Sequence, residues 1–157
     1  MKRLSLLVFV LALGLLAACG GGTTKDVPVS ELVEAVDNAL GDRVDMVERD
    51  SMYLEGMVQV KTDDYKEGVV KTNSYAENVD EYGIFKGADE AQAKALETKI
   101  KSYLKLRIDT WMDAYMPEEK PKMQAAECKR VGNYVMYAVL SDDAKSDGFA
   151  ALEAALK

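Results

Sequence analysis

The chain has 157 residues, 27 acidic against 20 basic for a net charge of −7, no histidine and two cysteines. Such an acidic balance lacks the basic footprint that nucleic-acid binding needs. The missing histidine excludes Ser-His-Asp and Cys-His catalysis, histidine zinc sites and haem ligation by histidine.

The first 18 residues have the three parts of a secretory signal. Lys2 and Arg3 form a positive start, Leu4 to Ala18 is an apolar run of 15 residues, and the small Ala17 and Ala18 lie at its end. That run is shorter than the roughly 20 residues a permanent membrane helix requires. Leu16-Ala17-Ala18-Cys19 then reads as a lipobox, with cleavage between Ala18 and Cys19 and lipidation of Cys19. Each buried methylene of an attached acyl chain contributes about 0.8 kcal/mol, and two or more chains give stable anchoring. The expected location is the extracytoplasmic face of the cell membrane, with membrane lipid as a partner through Cys19. Cleavage leaves 139 residues with a net charge of −9, because the signal carries two basic side chains and no acidic one. A mature domain of that size supports one sizeable core, and its acidity disfavours a broad grip on anionic headgroups. The expected organisation is a signal over 1–18, the lipidated cysteine and a flexible tether over 19–25, and one domain over 26–157. Gly20 to Lys25 is that tether, six residues and about 20 Å when extended.

Along the domain, Leu32, Val33, Val36 and Leu40 recur at helical spacing between Pro28 or Ser30 and Gly41. Asp42 to Gly56 fits either a short helix or an irregular packed segment. Met57 to Val60 is a weak candidate strand, Val69 to Thr72 a second, and Glu81 to Lys86 a third, with a polar loop over Asn73 to Asp80. A long helix is expected from Asp89, paired with Gln92 as in a capping box, to the stop at Pro117. Its stripe runs through Leu96, Ile100, Tyr103, Leu104, Ile108, Trp111, Met112 and Tyr115. Trp111 and Tyr115 suit a core face better than a ligand-stacking pair.

After a short helical turn ending near Ala126, Glu127–Val131 and Tyr134–Leu140 flank Gly132-Asn133, a hairpin signature. The second run is apolar on both parities and suits a central strand, whereas Lys129 and Arg130 suit an edge for the first. Ser141 to Gly148 reads as an acidic turn, with Asp147 capping a last helix through Phe149, Leu152 and Leu156. The expected fold is α+β: a single domain with a mostly antiparallel sheet, a long central helix, and N- and C-terminal helices.

Little catalytic chemistry is visible. Once Cys19 carries lipid, Cys128 is the only thiol, and it reads as a buried apolar residue in a strand. No glycine-rich phosphate loop occurs. Asp143 to Gly148 resembles part of a calcium loop, but Lys145 and Ala154 stand where ligands belong. Carboxylate pairs of the kind glycosidases use arise by chance among so many acidic residues. No cofactor, metal site or catalytic residue is therefore expected, and the ligand-binding residues stay unassigned. The expected role is a non-catalytic binding or interaction module, with a protein partner at the membrane surface. The alternative is a small solute-binding lipoprotein associated with a transporter.

The run Tyr82-Gly83-Ile84-Phe85-Lys86, the long helix, Tyr115-Met116-Pro117-Glu118-Glu119 and Val131-Gly132-Asn133-Tyr134-Val135 occur in that order behind a lipobox. They resemble the clostridial and other Firmicute lipoproteins that carry the domain of unknown function 4358, over most of residues 28–140. The resemblance implies a surface lipoprotein of unknown activity and brings no catalytic residues with it. Cys128 departs from it, standing where an aliphatic residue is expected.

Overall fold

A computed structural model describes residues 24–157, so Ala18, Cys19 and the signal lie outside the described residues. The secondary structure begins with helix α1 (Val29–Leu40). Strand β1 (Met46–Glu48) and the short α2 (Ser51–Tyr53) follow, then β2 (Glu67–Asn73) and β3 (Glu81–Lys86). Helices α3 (Glu90–Asp109) and α4 (Lys120–Gln124) precede β4 (Glu127–Val131), β5 (Tyr134–Val139) and α5 (Asp142–Ala155). The five strands form one sheet in the order β1-β2-β3-β5-β4, with every pairing antiparallel. The fold is α+β.

Helices cover both faces of this sheet. On one, Leu32, Val36 and Leu40 of α1 and Phe149 and Leu152 of α5 pack on Tyr82, Ile84 and Met136. On the other, Leu96 and Ile100 of α3, with Leu54, Val58 and Met123, cover Phe85, Val135, Tyr137 and Val139. Full burial of each Leu or Ile contributes about 1.5–3 kcal/mol. Coverage from both sides explains why β5 is apolar on both parities: all six of its residues are buried. Strand β4 forms the polar edge that Lys129 and Arg130 suggested. In the hairpin turn Gly132 has φ +55° while Asn133 keeps a negative φ, as in a type II′ turn with glycine first. At Gly83, a Cβ would overlap the Tyr137 ring and press on Val70, so only glycine lets these strands' side chains close over it.

Three expectations are corrected. Helix α3 ends at Asp109, not Pro117: Thr110 Oγ1 donates to Leu106 O at 2.8 Å, and the chain turns away. A helix of 20 residues spans about 30 Å and already outruns six-residue strands of about 20 Å. No sheet remains beneath the expected continuation. Trp111 packs on the second core, whereas Met112 and Tyr115 are 69% and 53% exposed.

Met57 to Val60 is not a strand. Leu54 to Val58 is a π-helical turn closed by Gln59 in the left-handed region, and Leu54, Val58 and Val60 all point into the second core. The acidic stretch after β5 is not a turn either, because α5 starts at Asp142. Ala144, Lys145 and Gly148 are buried by its first half, which offsets the lack of a side-chain cap at Ser141. Asp143 to Gly148 thus lies inside a helix and has no loop geometry for a cation. The undecided stretch after α1 resolves into a 3-10 turn (Gly41–Arg43), β1 and α2.

Candidate functional site

Strand β3 joins two polar constellations, one at each end. At its start lies Glu81, only 2% exposed. Strand alternation turns it toward α3, and the antiparallel register sets β5 alongside. Its Oε1 accepts from the hydroxyls of Tyr137 at 2.5 Å and Tyr103 at 2.7 Å. Its Oε2 accepts from Arg107 Nη1 at 2.7 Å and the Tyr53 hydroxyl at 3.3 Å. Tyr103 and Arg107 share one face of α3 because they are four residues apart. Arg107 Nη1 also reaches the Tyr103 hydroxyl at 3.1 Å.

Burying a carboxylate is costly unless its lone pairs and charge are matched, and here four donors match them. Burial pushes the phenols of Tyr137, Tyr103 and Tyr53 above the ordinary range, and the Glu81 charge adds to it. Burial works against the Arg107 cation, but Glu81 and Tyr103 outweigh it and hold its pKa up. None of these phenols supplies a base near neutral pH. The cluster is a satisfied polar plug.

Above the plug, Arg49 just after β1, Tyr53 of α2 and the loop between β2 and β3 enclose a shallow cleft of about 250 Å³, with Asn73, Tyr75, Asp80 and Arg107 also in its lining. Helix α4 steadies the loop, since Glu119 accepts from the Val79 N–H at 3.2 Å. Lys122 bridges Glu119 and Asp80, at 2.8 Å from each.

The other end of β3 receives the N-terminal segment. Lys25 N–H donates to Leu156 O at 3.0 Å, Asp26 pairs with Lys86 at 2.7 Å, and Val27 N–H donates to the Tyr134 hydroxyl at 2.7 Å. Lys86 also pairs with Glu67 at 3.1 Å, and Glu67 accepts from the Val29 N–H that opens α1, at 2.8 Å. The folded part therefore includes Lys25.

The family described as domain of unknown function 4358 matches residues 31–140, which contain the whole sheet and the cleft. The chain belongs to that family. Neither curated proteins nor solved structures give a match to it.

Of the residues singled out in the sequence, Ala18 and Cys19 lie outside the described residues. Cys128 is half-buried on β4 rather than fully buried, facing α3. Burial, reinforced by Glu97, pushes its thiol up to about 12, so it carries no thiolate at neutral pH. The residues of the cleft were not foreseen. One sequence signal could have found the plug, Tyr103 and Arg107 one helical turn apart, whereas Glu81 carries no mark because both faces of β3 are buried. Nothing in the sequence marked Arg49.

Proposed function

We propose that the chain is an extracytoplasmic lipoprotein, cut before Cys19 and held to the cell membrane by lipid on that residue. Its folded domain acts there as a binding module rather than an enzyme. The observation that carries this reading is the placement of two features at opposite ends of β3. The segment from Lys25 to Val27 is tied to the Lys86 end, and the polar cleft opens at the Glu81 end. The described chain enters at the Lys86 end, so a lipid on Cys19 would favour an orientation in which the cleft faces away from the bilayer. The closed state of the Glu81 cluster favours binding over catalysis, because its carboxylate and phenols are engaged with one another. The volume of the cleft suits a small polar group, so the interaction-module and solute-binding readings meet at the same place.

The experiment is metabolic labelling with a palmitate analogue, followed by membrane fractionation. The unaltered chain should be labelled and membrane-bound. Cys19→Ala should lose the label and leave the membrane or accumulate uncut. A Cys19→Ala chain that stays labelled and membrane-bound would overturn the anchor.

A further inference from the structure

We infer that the cleft at the start of β3 binds a monoanionic carboxylate, from a small acid or a peptide C-terminus, through the guanidinium of Arg49. This rests on the binding-module reading and adds the chemistry of the ligand.

Among the described residues, Arg43, Arg107 and Arg130 each pair with a carboxylate, at 2.9, 2.7 and 3.3 Å. Arg49 has none within the 4.0 Å of an ion pair. That is unusual in a chain where acidic side chains outnumber basic ones, 27 to 20. Arg49 is nevertheless well held. Its Nε donates to Thr72 Oγ1 at 2.6 Å, its Nη2 approaches Asn73 O at 3.5 Å, and its Cζ lies 5.6 Å from the centre of the Tyr53 ring. All these partners are neutral. They fix the guanidinium plane while leaving its charge uncompensated and other N–H donors unused. A planar, pre-oriented fork of that kind matches a carboxylate in bidentate fashion.

The end of β2 and the loop after it add donors. Asn73 Oδ1 accepts from the Tyr75 N–H at 2.8 Å, and Asn78 Oδ1 accepts from the Asp80 N–H at 2.7 Å. These bonds fix the orientation of both carboxamides. Their NH₂ groups make no hydrogen bond among the described residues and are available to an acceptor. Tyr75, 69% exposed at the rim, offers an apolar face to the remainder of the ligand.

Charge selects among anions. Arg49 and Arg107 in the lining are balanced by Asp80 and Glu81, giving a formally neutral cleft in an acidic chain. One unpaired guanidinium then suits a single negative charge, whereas a phosphate dianion keeps a second charge that no unpaired cation of the lining compensates. At about 250 Å³ the space holds roughly eight waters, enough for a terminal residue and part of its neighbour.

The test uses the full chain in detergent and calorimetric titration with matched probes: N-acetyl-alanyl-alanine, its C-terminal amide, propanoate and inorganic phosphate. At least one free acid should bind, and the amide at least tenfold more weakly than its acid. Arg49→Gln should weaken the acid at least tenfold, Arg49→Lys less so, and Arg130→Gln should leave it unchanged. Binding of propanoate as tight as that of the peptide acid assigns the site to small acids; peptide binding alone assigns it to a C-terminus. The proposal is overturned if no acid binds, if acid and amide bind alike, if phosphate binds more tightly, or if Arg49→Gln retains affinity. Should Arg49→Gln lose the native circular-dichroism spectrum, Asn78→Ala takes its place and must weaken the acid at least threefold. The titration does not depend on lipid. A labelled Cys19→Ala chain therefore defeats the anchor alone, and a blank titration beside a released Cys19→Ala chain defeats this inference alone.

Discussion

Glu81 shows how far a single residue's role depends on neighbours remote in sequence. Read along the chain, a glutamate opening Glu-Tyr-Gly-Ile-Phe-Lys looks like a solvated strand end. In the fold it is buried under Tyr53, Tyr103, Tyr137 and Arg107, which lie on three other elements. Removing one partner of a buried ion pair costs about 3–5 kcal/mol, because the other charge is left without compensation. Glu81→Ala should lose stability of that order in urea unfolding, and combining it with Arg107→Met should restore part of the loss. A change under about 1 kcal/mol for Glu81→Ala would show that the cluster does not hold the fold. Arg49 lies at the opposite extreme: no periodicity or motif marks it, since its significance is the acidic partner it lacks.

At the scale of elements, helix termini were the least legible part of the sequence, and each miss has a physical cause. Periodicity measures whether a helix can form. Whether it continues depends on a surface to pack against, which α3 loses beyond Ile108 and α5 gains before Phe149. The capping box of α3 illustrates the same limit. Asp89 accepts from the Gln92 N–H at 2.8 Å as expected, but the Gln92 side chain reaches Ala88 N–H at 2.7 Å instead of Asp89. Helix α1 has no side-chain cap of its own and takes one from β2. The Glu67 carboxyl is held below its ordinary range, first by the Val29 N–H and then by Lys86. A carboxyl with a depressed folded pKa binds fewer protons folded than unfolded. Its stabilisation is therefore complete above the unfolded value of about 4.3 and is lost as pH falls through the folded value. Glu67→Ala should cost about 1–2 kcal/mol at pH 7, with the gap to the unaltered chain closing toward pH 3. Urea unfolding across that range checks it; a gap independent of pH would count against the cap.

For the whole molecule, the consequence of the sheet is orientation. The N-terminal segment and the cleft are separated by the length of the six-residue β3, about 20 Å at 3.3 Å per residue. If lipid on Cys19 anchors the chain, a fluorophore on Ser74→Cys should sit farther from the bilayer than one on Asn133→Cys, by up to that distance. Energy transfer to an acceptor lipid in vesicles reads the difference. Equal transfer from both positions would mean that the domain lies flat or tumbles freely. The raised thiol of Cys128 keeps background labelling low near neutral pH.

Local patterns were enough to place α1, β3 and the β4–β5 hairpin, and to say that β5 is an interior strand and β4 an edge. Apolar spacing, a helix-stopping glycine and a two-residue turn act between near neighbours and need no knowledge of the rest of the chain. The lipobox reading of Cys19 also rests on contiguous residues, and the labelling experiment is what tests it. Tertiary structure alone decided where α3 ends and α5 begins, that helices cover both faces of the sheet, and which polar side chains meet. Those outcomes depend on contacts between distant segments, as when Tyr137 reaches Glu81 across 56 residues. A cleft is defined in the same way, by the space that such contacts leave open.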